Sequence, residues 1–199
     1  MMDSFDRLIQ IMDTLLSPEG CPWDQKQTLL SLREHLIEEA YEVIEAITEG
    51  HEPHLIAEEL GDLIGMAVFV AKVAQKEKLF TIQDACQAIV DKLIRRHPHI
   101  FHEKQSLSAD EVKIQWDQIK KLEKKKEKNF YERIPKSMPS LQKAQEVVPH
   151  LKDKAQLVTN DEQDEIGREL YLIAAKASDK GINAEFALRH YIEKIVTAS

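Results

Sequence analysis

The sequence contains few of the residues that interrupt helices. Its 199 residues include six glycines and seven prolines, while leucine, isoleucine, alanine, glutamate and lysine dominate. Glycine and proline are the poorest helix formers, and most of the dominant residues are good ones. Convincing stretches of alternating apolar and polar residues, which would indicate strands, are missing as well. The composition therefore favours an all-α protein.

Cysteines and long apolar runs are also scarce. Two cysteines, Cys21 and Cys86, do not make a disulfide framework, which indicates a reducing compartment. The longest apolar run, Leu63 to Ala71, is about half as long as a bilayer-spanning helix. The N-terminal stretch MMDSFDRLIQIMDTLL has acidic residues where a signal peptide has basic ones. We therefore expect a soluble cytoplasmic protein that does not associate with membranes.

Positive charge is scarce over one long window of the chain. The net charge is −8, and residues 31–62 contain ten Asp or Glu and one Arg, a local balance of −9. This distribution disfavours a general polyanion binder and suits a cation. The segment KKLEKKKEK (120–128) holds six lysines and two glutamates, as a solvated helix end or a nucleic-acid contact would. We favour the solvated end, because the chain as a whole is acidic.

Apolar residues recur with the helical period along almost the whole chain. The pattern predicts helices over 3–16, 28–49, 53–77, 81–96, 108–128, 139–150, 162–179 and 184–197. Long helices joined by short connections pack most simply as an antiparallel bundle. The predicted architecture is therefore an all-α antiparallel helical bundle.

Two consecutive predicted helices each carry an acidic stripe beside apolar residues. Glu38, Glu39 and Glu42 share roughly a third of the circumference of the first helix. Glu59 and Asp62 repeat the spacing of Glu39 and Glu42 on the second helix. A solvated acidic face is the ordinary explanation of such a stripe. The repetition, and the lack of Lys or Arg at the neighbouring turns, favour a shared site for a hard divalent cation, Mg²⁺ or Mn²⁺.

Other kinds of metal site fit the sequence less well. A ferritin-like di-iron site needs the motif Glu-x-x-His, and no histidine of this chain has a glutamate three positions before it. A magnesium site with free positions commonly serves phosphates, which also need cationic side chains. Lys92, Arg95 and Arg96 in DKLIRRHPHIF could supply them, or could simply complement the helix dipole. Trp23 and Trp116 could each stack on a base or pack in the core.

Five segments, in this order, resemble the MazG nucleoside triphosphate pyrophosphohydrolases of the all-α NTP pyrophosphatase superfamily. They are CPWDQKQT, EEAYEVIEAI, EELGDLIGMAVFVAKVA, DKLIRRHPHIF and WDQIKKLEK, within residues 5–128. The resemblance implies Mg²⁺-dependent hydrolysis of an NTP or dNTP to the monophosphate and pyrophosphate, with a house-cleaning role. It also implies a homodimer.

The resemblance implies a role for each candidate residue. The expected metal ligands are Glu39, Glu42, Glu59 and Asp62. Glu38 is expected to orient or deprotonate the attacking water. The expected substrate contacts are Lys92, Arg95, Arg96, Trp116 and Lys120, with Trp23 as a further platform. The reaction needs no covalent nucleophile, so Cys21 is expected to be structural, and His97 and His99 to be helix-end or packing residues.

The C-terminal part departs from the family pattern. When residues 164–195 are laid against residues 58–93, Arg168 stands where the metal-binding Asp62 belongs. We therefore expect a catalytic domain over 1–128 and a truncated, degenerate second repeat over 129–199. Two alternatives stay open: a non-catalytic nucleotide-binding or dimerisation scaffold, and a relative specific for dUTP or a phosphoribosyl nucleotide.

Overall fold

The structure is a computed structural model that describes residues 3–102, 104–124, 134–151 and 161–197. Within these ranges it contains α-helices and one 3₁₀ turn, and no strand, which confirms the all-α prediction. The helices are α1 (Ser4–Leu15), α2 (Leu29–Thr48), α3 (Pro53–Lys76), α4 (Ile82–Arg96), α5 (Pro98–Phe101), α6 (Ala109–Lys124), α7 (Ser140–Leu151), α8 (Glu162–Asp179) and α9 (Ala184–Thr197). In the part of the chain that is described, no helix is both long and apolar enough to span a bilayer.

Polar side chains fix where the central helices begin. The Thr28 hydroxyl accepts a hydrogen bond from the Ser31 N–H, and the Ser31 hydroxyl oxygen accepts one from the Thr28 N–H. Thr81 and Asp84 form the same reciprocal cap on α4. The Thr81 hydroxyl and N–H both donate to Asp84, and these bonds lower the pKa of that carboxyl. These caps satisfy backbone N–H groups that would otherwise lack partners.

A tight turn joins α2 to α3. Gly50 has a φ of 68°, and its N–H donates to the Ile47 carbonyl while the His51 N–H donates to the Ala46 carbonyl. This is the Schellman ending, in which the left-handed residue is best a glycine. Pro53 then occupies the first position of α3, where its missing N–H costs nothing. Because the connection is so short, α2 and α3 pack side by side as an antiparallel hairpin.

The chain divides into two compact units, Met1–Ile119 (unit 1) and Lys120–Ser199 (unit 2). The core of unit 1 lies between α1, α2, α3 and the start of α4, and Leu32 and Val68 are its largest fully buried side chains. Burial of each contributes about 1.5–3 kcal/mol. Lys72 on α3 reaches Asp13 on α1 with an Nζ–Oδ1 distance of 2.7 Å, and only 10% of its side chain is exposed.

Unit 2 contains α7, α8 and α9, which contact one another. The Gln145 side chain of α7 donates to the Ile182 carbonyl at 2.7 Å and accepts from the Ala184 N–H at 2.8 Å. It thereby holds the turn between α8 and α9. The predicted boundary at 128/129 lies outside the described residues, as does the end of the lysine-rich segment.

Candidate metal centre

Three carboxylates come together where α2 faces α3. Glu39 and Glu42 lie one turn apart on α2, and Glu59 lies in the second turn of α3. Each offers an oxygen within 4.8 Å of the other two. Glu39 and Glu59 are half-buried, whereas Glu42 is exposed. The short turn at Gly50 makes this approach possible, because it brings the acidic stripes of the two helices face to face.

The electrostatics of the cluster are repulsive. Burial raises the pKa of Glu39 above its ordinary value, and the negative charges of Glu42 and Asp62 raise it further. A hydrogen bond with Glu42 and the charge of Glu38 act in the same direction. Asp62 and Glu38 are therefore close enough to affect Glu39, although neither belongs to the group within 4.8 Å. An oxygen-only group of this kind suits a hard divalent cation, which would relieve the repulsion.

The raised pKa of Glu39 predicts how stability depends on pH without metal. The folded protein holds this proton more tightly than the unfolded chain does, so stability falls as pH rises from the ordinary value of 4.5 through the raised value. Glu39→Gln removes this loss. In a chelator, we expect the variant to melt above the wild type at pH 8, with the difference in melting temperature shrinking towards pH 4.5.

Thermal melts followed by circular dichroism at several pH values test this expectation. The groups of lowered pKa, Asp84 and Glu111, shift stability in the opposite direction, but they are present in both proteins and cancel in the difference. A difference in melting temperature that is constant or grows towards low pH would show that Glu39 is not under repulsion.

The cationic candidates lie at the end of α4. Lys92 and Arg96 are one turn apart, Arg95 is exposed, and Arg96 is half-buried. The guanidinium carbon of Arg96 lies 5.5 Å from the ring centroid of Trp116 on α6, within the range of a cation–π contact. The structure thus brings together one predicted phosphate ligand and one predicted nucleotide contact. Lys120 lies one turn beyond Trp116 on α6.

Trp23 is joined to the acidic helix through a residue that sequence reasoning missed. Its ring, which is 55% exposed, meets the His35 ring edge-on with centroids 5.8 Å apart. The Nδ1 atom of His35 lies 3.4 Å from Glu38 Oε2, an ion pair when the histidine is protonated. The spacing of three residues between His35 and Glu38 was the only signal for this contact in the sequence.

Unit 2 does not repeat the cluster in its described residues. Asp164 and Glu165, the counterparts of Glu58 and Glu59, lie in the first turn of α8, and the Asp164 N–H is capped by the Asp161 carboxylate at 2.8 Å. Across the described ranges, the group of three carboxylates in unit 1 is the one place where three His, Cys, Asp or Glu side chains converge as metal ligands do.

The chain is similar to known proteins in sequence and in fold. A family model described as "MazG nucleotide pyrophosphohydrolase domain" matches residues 27–101, which include the three clustered carboxylates and Arg96. The "Nucleoside triphosphate pyrophosphohydrolase" of Escherichia coli (strain K12) is 43% identical over 149 residues, which are 73% of this chain and 56% of that protein. The "Nucleoside triphosphate pyrophosphohydrolase/pyrophosphatase MazG" of Thermotoga maritima is 47% identical over 125 residues, 63% of this chain and 47% of that protein.

A solved structure is also similar. The "mazG-related protein from Thermotoga maritima" superposes with a TM-score of 0.51 at 35% identity, covering 58% of this chain and 98% of that one. The chain spans about half the length of the two curated relatives, 56% and 47%.

Proposed function

Since this chain belongs to the MazG nucleotide pyrophosphohydrolase family, we propose that its catalytic domain, residues 1–128, hydrolyses nucleoside triphosphates to the monophosphate and pyrophosphate. The observation that carries the proposal is the convergence of Glu39, Glu42 and Glu59 within 4.8 Å. Several carboxylates this close together are typical of a site for Mg²⁺, with Mn²⁺ as a substitute. Asp62, whose charge acts on Glu39, is the fourth proposed ligand.

The proposed reaction is the attack of water on the α-phosphorus. The bound cation would neutralise phosphate charge. Glu38 orients the water and accepts its proton, the new P–O bond forms, and the bond from the α-phosphorus to the oxygen bridging to the β-phosphorus breaks. Pyrophosphate leaves with that oxygen. Such a transfer depends on positioning and charge neutralisation more than on covalent chemistry, so no nucleophilic side chain is required.

The end of α4 is the proposed phosphate site. Lys92 and Arg96 share a face of that helix, and Arg95 is a possible substitute for either. A guanidinium that contacts a ring with its face keeps its N–H edge for phosphate oxygens, so the Trp116 contact and phosphate binding are compatible. Trp116, with Lys120 one turn on and Trp23 as a second platform, is proposed to contact the nucleotide.

A substrate panel tests the proposed function. The full chain is incubated with each common NTP and dNTP, and pyrophosphate and phosphate are measured separately, with Mg²⁺, with Mn²⁺ and with a chelator. We expect pyrophosphate without free phosphate, and no product in the chelator. Turnover of dUTP or a phosphoribosyl nucleotide alone would identify the narrow-specificity relative. Binding without turnover would identify the non-catalytic scaffold, and phosphate as the first product would refute the proposal.

We further propose a homodimer, in line with the family resemblance. Apolar side chains one turn apart are exposed on two helices of unit 1, Leu60 and Ile64 on α3 and Ile89 and Leu93 on α4. Exposed apolar patches of this kind mark association surfaces. Light scattering gives the molar mass directly, and the mass of a single chain, 22.9 kDa, would contradict the dimer.

We also propose a role for the C-terminal residues, a cellular role for the protein and its location. Residues 129–199 are proposed to be a degenerate repeat without an active site, because Arg168 stands where the first repeat has Asp62. A house-cleaning role in the nucleotide pool and a cytoplasmic location follow from the resemblance and the cysteine content. Hydrolysis of many different nucleotides in the substrate panel would support the house-cleaning role. Fractionation of cells would test the cytoplasmic location.

A further inference from the structure

His99 is a buried polar residue close to the proposed phosphate site. It is 7% exposed, and among the residues that the structure describes it is the one buried polar residue. Its Nδ1 atom lies 2.8 Å from Gln115 Oε1 on α6. Its carbonyl accepts the Gln105 N–H at 3.0 Å, in the segment that leads into α6. One residue of the four-residue helix α5 therefore holds both α6 and the connection before it.

The two partners of this hydrogen bond are neighbours of the cation–π pair. Gln115 directly precedes Trp116, and His99 follows Arg96 by three residues. Between Arg96 and His99, the chain leaves α4 at His97, whose Nδ1 atom lies 2.7 Å from the Leu93 carbonyl oxygen. The short path from Arg96 to His99 is thus fixed, and the His99–Gln115 bond ties it to the stretch of α6 that carries the Trp116 ring.

We propose that His99 is a positioning residue for substrate binding. Through Gln115 it sets α6 against the corner of α4 and α5, so that the Trp116 ring holds the Arg96 guanidinium ready for phosphate. The proposal rests on the proposed function of the α4 end. A long arginine side chain loses much rotational freedom when it is held in one place. A preformed ring contact removes that loss from the binding step, so the effect belongs to substrate affinity and not to the chemical step.

Two substitutions of His99 separate the hydrogen bond from the packing. His99→Phe keeps a ring of similar shape and removes both nitrogens. His99→Asn places an amide nitrogen near the position of Nδ1 and can still donate to Gln115. We expect His99→Phe to raise KM for the nucleoside triphosphate about tenfold, the effect of losing one charge-assisted phosphate contact, with kcat little changed. His99→Asn is expected to stay close to the wild type in both.

Tryptophan fluorescence reports the same contact without any turnover. The chain has two tryptophans, so in a Trp23→Phe background all of the emission comes from Trp116. We expect His99→Phe to shift the Trp116 emission to longer wavelength and to lower its anisotropy, and His99→Asn to do neither. Activity is measured in proteins that retain Trp23. If the wild type hydrolyses nothing, the proposed function fails, yet the emission still decides whether His99 positions Trp116.

Gln115 tests the bond from the other side, should His99→Phe not fold. Gln115→Met removes the acceptor at similar length, and Gln115→Glu retains it. The inference is supported if Gln115→Met has the KM and emission expected of His99→Phe and Gln115→Glu has values near those of the wild type. It also requires that the double variant, Gln115→Met with His99→Phe, has a KM no higher than that of either single variant. The inference is overturned if His99→Phe and Gln115→Met keep the KM and emission of the wild type, or if His99→Asn raises KM as much as His99→Phe does. A fall in kcat with an unchanged KM would also overturn it.

Discussion

Glu42→Gln is expected to lower kcat/KM for triphosphate hydrolysis by about 100-fold or more, since even outer partners of metal ligands cost 10–100-fold. Glu42 offers an oxygen within 4.8 Å of Glu39 and Glu59, so the substitution removes one of the proposed anionic ligands. The metal-free fold is expected to keep or gain stability, because the charge of Glu42 is one of the causes that raise the pKa of Glu39. Hydrolysis at saturating Mg²⁺ and thermal melts in chelator measure the two effects.

Two matched substitutions control this result. Glu45→Gln removes an exposed charge three residues further along α2, outside the cluster. Glu165→Gln alters the counterpart of Glu59 in the proposed degenerate repeat, residues 129–199. Both are expected to retain wild-type activity. Equal activity in Glu42→Gln would refute the site assignment, and loss of activity in Glu165→Gln would show that unit 2 contributes to the reaction.

Arg96→Ala is expected to lower kcat/KM by about 10- to 100-fold, mainly through KM, whereas Arg95→Ala changes it little. A hydrogen bond to a charged group contributes about 1.5–3 kcal/mol, and about 1.4 kcal/mol corresponds to a factor of ten. The two arginines are adjacent, but the guanidinium of Arg96 lies over Trp116 and its side chain is half-buried, while Arg95 is exposed. Steady-state kinetics over a range of substrate concentrations give both parameters.

The Arg95→Ala and Arg96→Ala variants have the same net charge, because each loses one positive charge from the same end of α4. A long-range electrostatic effect would therefore affect both variants alike. Arg96→Lys adds a second control, since it keeps the charge but loses the planar group that stacks and binds phosphate through two N–H groups. If Arg95→Ala were the more damaging variant, Arg95 and not Arg96 would be the phosphate ligand.

The helices could be predicted closely from the sequence. Where their ends fall on described residues, predicted and observed boundaries agree to within one residue. The reason is local: the Thr28, Thr81 and Ser108 caps, the glycine after α2 and the proline after His97 all act within one turn. The 3₁₀ turn at Asp24–Lys26 and the helix α5 were not predicted. Both are too short to show the helical periodicity of apolar residues.

The candidate site could be predicted where it depends on spacing along two consecutive helices that a tight turn joins. The convergence of Glu39, Glu42 and Glu59 follows from two acidic stripes and a tight turn, and the structure has it. The contacts of His35 with Trp23 and of His99 with Gln115 depend instead on how separate segments are placed around one another. No periodicity encodes such placement. The roles of the individual side chains remain predictions that the kinetic experiments address.

Helix α1 contributes Met12 to the core of unit 1 and Asp13 to the ion pair with Lys72. A chain trimmed to residue 27, where the match to the family model begins, would lose α1 and with it both Asp13 and Met12. Lys72 on α3 would then lose its ion-pair partner, and the apolar side chains of α3 that pack against α1 would be exposed to solvent. The residues that match the family model are therefore fewer than those that form the core of unit 1, and we expect an excised domain to need α1.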